Sequence, residues 1–193
     1  MSSKPSRPSS VATAVPPTIK PPCKIDNKAI ISDKAMLVGS YTISIGPNAV
    51  LHPFAKIDAT QAPVTIGEYC IICERATVGG GSQGHAVVIG GHTVVETGAI
   101  VEASTIGKGS TVGAFARLGP ASELGQFCKV TPLCHLEKGT IVPDFSVIMD
   151  QNSSRIDLTA VGREDIQSLK LKGQEMHVDT LRRLIPSNIA KWI

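Results

Sequence analysis

The chain has 193 residues and a formal net charge of +3, from 19 Lys and Arg against 16 Asp and Glu. A balance this mild, not grouped into a basic stripe, does not imply nucleic acid, and no apolar run approaches the length that spans a bilayer. The N-terminus lacks the apolar core of a secretory signal, so no membrane insertion is expected and the expected location is the cytosol.

Residues 1–22 are rich in Ser and Pro (PSRPSS, VPPTIKPP) and read as a disordered or extended tail. From Cys23 to Asp150 aliphatics recur every sixth residue. Ile25, Ile31 and Leu37 form one set of three. Ile45, Leu51 and Ile57 form the next, then Ile66, Ile72 and Val78, then Ile89, Val95 and Val101. From Ile106 the rhythm is unbroken through Val112, Leu118, Leu124, Val130, Leu136, Val142 and Ile148, each preceded two places earlier by a small residue. Residues two apart on a strand face the same side, so both point inward and the residue between them points out. Three such sides close a triangular coil, and coils stack in parallel at roughly 4.8 Å. The fold expected is an all-β solenoid, a parallel β-helix of hexapeptide repeats with six to seven coils. Known examples of this repeat wind left-handed.

The irregularities in the rhythm all fall at one corner, between the third side of one coil and the first side of the next. Gly46, Gly67, Gly90, Gly107 and Gly125 follow the first-side aliphatics. They suit a corner that needs positive φ or leaves no room for Cβ. The lumen filled by Ile, Leu and Val accounts for the scarcity of aromatics: one Trp, two Tyr and four Phe.

Residues 151–193 are expected to be a linker followed by a helical extension. Residues 151–162 read as the linker, and a helical pattern runs from about Arg163 to Ile185. Ile166, Leu169, Met176, Leu181, Leu184 and Ile185 lie near one stripe, Gly173 weakens or splits it, and Pro186 ends it. Such a helix packs beside the prism or covers an open end, where terminal coils present bare strand edges.

Two enzyme classes are known on such prisms, and each requires particular residues. A carbonic-anhydrase-like metal site needs three histidines, two of them five residues apart. His52, His85, His92, His135 and His177 contain no such pair. For acyl transfer, His85 in the corner loop GGGSQGHA is the candidate general base, against the plainer reading of a solvated loop. His52 and His135 have no carboxylate partner evident in sequence. Cys70 and Cys73 form a lone C-x-x-C, either half of a metal or redox site or, since the alternation points them apart, a lumen thiol and a turn thiol. No catalytic residue, metal or cofactor is assigned. The outward residues of the second side read Ile30, Val50, Ile71, Val94, an aliphatic strip of the kind a docking surface presents. These four, with Leu181, Leu184 and Ile185 of the helix, are the expected partner-binding residues. The expected cover for the strip is the C-terminal helix, a partner subunit, or both.

IGPNAVLHPFAKI, VTIGEYCIICERATV, the run from VVIGG to FARLG, and DTLRRLIPSNIAKW resemble the β-helical subunit 6 family of dynactin, over residues 25–193. The resemblance implies a non-enzymatic role in the pointed-end complex of the dynein activator. The implied partners are dynactin subunit 5 as a second β-helix, the pointed-end actin-related protein and a larger zinc-binding subunit, with dynein and cargo adaptors reached indirectly. It implies a cytoplasmic, cytoskeletal location. A homotrimeric β-helix enzyme is the alternative.

Overall fold

In the computed structural model, which describes residues 20–81, 84–150 and 153–192, the chain is a left-handed parallel β-helix followed by one α-helix. All but the last three residues of the Ser/Pro tail lie outside the described residues. The three sides form sheets of seven, eight and six strands. The inward aliphatics pair one to one along each side. On the first, Ile25 meets Ile45, Ile45 meets Ile66, Ile66 meets Ile89, Ile89 meets Ile106, Ile106 meets Leu124, and Leu124 meets Val142. The lumen they fill is a single core, with Ile31, Leu51, Ile72, Val95 and Val112 wholly buried. Each such side chain contributes about 1.5–3 kcal/mol by leaving water.

The corners separate two demands that the sequence left joined. The glycine column answers close approach: a Cβ on Gly67 would lie 2.6 Å from the Gly91 nitrogen, and one on Gly90 would lie 2.7 Å from the Lys108 nitrogen. Positive φ falls two residues later, often on bulky side chains: Asn48, Tyr69, His92 and Phe127 at the first corner, Phe54, Arg75, Phe115 and Leu133 at the second. Left-handed backbone costs such residues roughly 1–2 kcal/mol each. Coil stacking offsets it, because the same residue's amide bonds the coil before, as Phe127 N–H does to the Lys108 carbonyl at 2.8 Å. Side chains there stack along the axis, with Tyr69 on His92 at 5.0 Å and Phe127 on Phe145 at 5.6 Å. In the last coil Pro143 takes the glycine's place. It carries no N–H to leave unpaired at an edge.

Residues 153–162 are more than a linker. Ser153–Ile156 pairs antiparallel with Ser146–Asp150 and adds an eighth strand to the second sheet. The helix α1, Glu164–Leu184, then runs back along the prism without breaking at Gly173. Its 21 residues span about 31 Å, against roughly 29 Å for six coil spacings. Acidic Glu164 and Asp165 in its first turn and basic Arg182 and Arg183 in its last suit the helix dipole.

Candidate functional site

The aliphatic strip of the second side lies under the chain's own helix. Ile30, Val50 and Ile71 form a second buried cluster with Val178 and Leu181 of α1, and Val94, Tyr69, Cys73 and Ile185 pack around it. Polar contacts follow the first corner from coil to coil. The Gln174 side-chain amide donates to the Tyr69 carbonyl at 2.7 Å. A Glu175 carboxylate oxygen lies 3.0 Å from His92 Nε2. The Arg182 guanidinium donates to the Lys28 carbonyl at 3.1 Å and to Asn48 Oδ1 at 2.7 Å. Lys170 sits over the Phe127 ring at 5.8 Å.

The helix face that makes these contacts is Gln167, Leu171, Gln174, Val178, Leu181 and Ile185, at alternating spacings of four and three. The stripe expected from sequence is mostly the opposite one. Leu181 and Ile185 do face the prism, but Leu169, Met176 and Leu184 are 70%, 63% and 70% exposed. Two glutamines within the buried stripe hid Leu171 and Val178 from a search for apolar periodicity. The Gln174 amide reaches a corner carbonyl of the prism, and the Gln167 amide donates to the Ala160 carbonyl in the turn before the helix at 2.8 Å. Of the expected partner-binding residues, Ile30, Val50, Ile71 and Leu181 are thus buried within the chain, Val94 and Ile185 are half-buried, and Leu184 faces solvent.

Beyond α1 the chain closes the first coil. Ser187 bridges Ser32 in antiparallel pairing, its hydroxyl accepts from the Ile31 amide at 3.0 Å, and the Asn188 amide donates to the Ile31 carbonyl at 2.8 Å. Ile189 and Trp192 pack against the lumen core, and Lys191 Nζ donates to the Asp33 carbonyl at 2.8 Å. The two ends of the prism therefore differ. At the other end the first and third sheets stop on the strands Ile141–Val142 and His135–Leu136, each paired on one side only, and Leu133 and Ile141 are exposed.

The histidines sort differently from the sequence reading. His85 and His135 are exposed. His52, read as lacking a carboxylate orienter, has one: its Nδ1 lies 2.7 Å from Glu74 Oε1. The two occupy successive coils at the second corner, an offset of 22 residues that becomes visible only once the coils are laid in register. Burial pushes the Glu74 carboxyl up, but the hydrogen bond from His52, a bond from its own backbone, the His52 charge and the Thr97 hydroxyl together outweigh it and hold the group below its ordinary value. A histidine oriented by a carboxylate is half of a general-base arrangement. Its free nitrogen, His52 Nε2, is sealed from solvent without a partner, as is His92 Nδ1, so neither ring presents a working nitrogen to a substrate. Cys70 is buried and donates to the Gly90 carbonyl. Burial pushes its thiol up to about 12 and that of Cys73 up to about 11, which leaves both protonated and unreactive at neutral pH. Among the described residues no three His, Cys, Asp or Glu side chains gather as a metal site requires.

Fold and repeat define a hexapeptide-repeat β-helix protein. More narrowly, the chain belongs to the family described as the GMPPB C-terminal domain, whose sequence pattern matches residues 45–156. It is 36% identical over 66 residues to dynactin subunit 6 of Caenorhabditis elegans, a stretch covering 34% of this chain and 36% of that protein. The chain thus spans about a third of that relative's length. Among solved structures it is similar to a hexapeptide transferase family protein from Anaplasma phagocytophilum, with 19% identity, a TM-score of 0.68, and coverage of 83% of this chain and 91% of that one. It is also similar to a putative acetyltransferase from Bacillus cereus, with 16% identity, a TM-score of 0.59, and coverage of 82% and 92%. At these identities the two structures share the fold alone.

Proposed function

We propose that this protein is a non-enzymatic structural subunit of the dynactin pointed-end complex. It pairs there with dynactin subunit 5, beside the pointed-end actin-related protein and the larger zinc-binding subunit. In that role it supports dynein-driven, microtubule-based transport through adaptor recruitment, in the cytoplasm and on the cytoskeleton. The observation that carries the reading is the similarity to dynactin subunit 6. Two structural features agree with it. The two histidines that have carboxylate partners keep their other nitrogen sealed and the Cys70 thiol is locked by burial, and the prism is closed at one end and clad along one side by its own chain, which makes it a stiff rod. Its first and third sides and its far end remain open to neighbours.

The alternative, a homotrimeric β-helix enzyme of the carbonic-anhydrase or acyltransferase type, has one observation in its favour, the His52–Glu74 pair. Co-expression with dynactin subunit 5, followed by light scattering on the purified material, separates the two. A stable one-to-one complex is expected. A self-contained trimer whose bound zinc, or whose acyl transfer, disappears with His85→Ala or His52→Ala would overturn the proposal.

A further inference from the structure

The helix α1 is apolar on two opposite faces, and the prism covers only one. The outer stripe carries Leu169, Gly173, Met176, Thr180 and Leu184. Its spacings of four and three are those of a helix–helix seam, and it runs most of the length of α1. A helix that is apolar on both sides belongs between two layers rather than at a surface. Gly173 lies within the seam, and a Cβ placed on it would meet nothing within 4 Å, so a second backbone has room to approach.

The charges along one flank of the seam say what that second layer is. In chain order they are Asp165, Lys172, Asp179 and Arg183, all exposed. Reversed, the same series pairs every charge with its opposite: Asp165 with Arg183, and Lys172 with Asp179. In antiparallel helix pairs residues on the same flank meet across the seam, so the flank complements an antiparallel copy of itself. A parallel copy would set the acidic first turns side by side, and the basic last turns likewise. Antiparallel alignment also opposes the two helix dipoles. Arg163 already bonds Asp165 at 2.8 Å, but that pair is exposed on both sides and is worth little, so it yields to a partner's guanidinium.

We propose that a second copy of this chain docks on the outer stripe of α1, helix antiparallel to helix, around Gly173 and Met176. The contact leaves the first and third sides and the far end of the prism free, and it does not depend on membership in a dynactin complex.

Sedimentation velocity on the full chain tests it. The wild type is expected to be dimeric at micromolar concentration, and Met176→Asp and Leu169→Asp are expected to be folded monomers by circular dichroism. Two charge variants make the test specific. Asp165→Lys with Asp179→Lys makes the flank wholly basic, and Lys172→Glu with Arg183→Glu makes it wholly acidic. Each alone is expected to be monomeric, and an equal mixture is expected to form a dimer containing one of each. A wild type that stays monomeric, a dimer that survives Met176→Asp, or charge variants that fail to pair on mixing would each overturn the proposal. Binding of α1 to a different protein by a chain that is monomeric alone would do so as well.

Discussion

The lumen and the helix bury apolar surface by different rules. In the lumen every coil repeats the one before, so a single register places all the inward residues at once and each is held by neighbours above and below. Ile31, Leu51, Ile72 and Val95 are interchangeable in role. In α1 nothing repeats. Its grip on the prism rests on Val178 and Leu181 with a few corner hydrogen bonds, and its opposite face is equally apolar. A periodic environment makes burial redundant, while a single helix makes it depend on which stripe wins.

The largest expected effects lie in the lumen. Leu118 is wholly buried there, and Leu118→Ala is expected to cost about 2–5 kcal/mol, measured by urea unfolding. A loss under about 1 kcal/mol would mean that the coils relax around the gap and that the lumen is not close-packed. Next comes the corner. An Ala methyl at Gly107 would meet the Gly125 carbonyl carbon and the Gln126 nitrogen, both backbone atoms of the next coil. Gly107→Ala is expected to cost about 1–3 kcal/mol by pushing the coils apart. The same change in α1 has the opposite sign. Gly173 has open space around it within the chain and sits in a helix interior, so Gly173→Ala is expected to raise the stability of the monomer, measured at a concentration too low for dimers, by roughly 0.5–1 kcal/mol. If the two substitutions shifted stability alike, the distinction between the stacked corner and the open helix would fail.

The smallest expected effect is electrostatic. Burial raises the Asp58 carboxyl, but hydrogen bonds from Lys56 and Thr60 outweigh it and hold the group below its ordinary value. Glu74 is lowered in the same balance through His52. A depressed folded pKa contributes stability above the unfolded value, about 3.9 for Asp and 4.3 for Glu. That contribution is lost as pH falls through the folded pKa. The urea midpoint is therefore expected to drop on acidification below about pH 4.5, and to drop less in Asp58→Asn. Glu74 is half-exposed, and Asp58, itself buried, pairs with the half-exposed Lys56 ammonium, so each contributes about 1 kcal/mol or less. A midpoint indifferent to Asp58→Asn across that range would remove the network from the account.

How much was legible in the sequence follows the same division. The six-residue rhythm assigned the three sides, the register and the strip Ile30, Val50, Ile71 and Val94, because burial in a repeat is periodic. The corner glycines were visible with two candidate reasons, and the sequence did not choose between them: close approach and positive φ occur two residues apart, and the second falls on Tyr69, His92 and Phe127, which no turn rule selects. The His52–Glu74 pair was hidden because its partners lie on successive coils of unequal length. The strand Ser153–Ile156 carries no apolar alternation and is exposed throughout, so nothing in its composition announced it. The helix stripe was misread for a physical reason. Apolar periodicity finds the face with more hydrophobic residues, but the face that packs includes Gln174, whose amide bonds the Tyr69 carbonyl at a prism corner, and Gln167, whose amide bonds the Ala160 carbonyl just before the helix.

That choice of face supports the rest of the account, since it decides both what covers the second side and what α1 leaves exposed. The direct measurement compares urea unfolding of Val178→Asp and Met176→Asp in the full chain, at a protein concentration low enough to keep it monomeric. Val178 is wholly buried against the strip, so Val178→Asp is expected to cost about 3 kcal/mol or more. Met176→Asp is expected to stay within about 0.5 kcal/mol of the wild type. Equal losses, or a larger loss at Met176, would contradict the account and return the stripe of Leu169, Met176 and Leu184 to the prism.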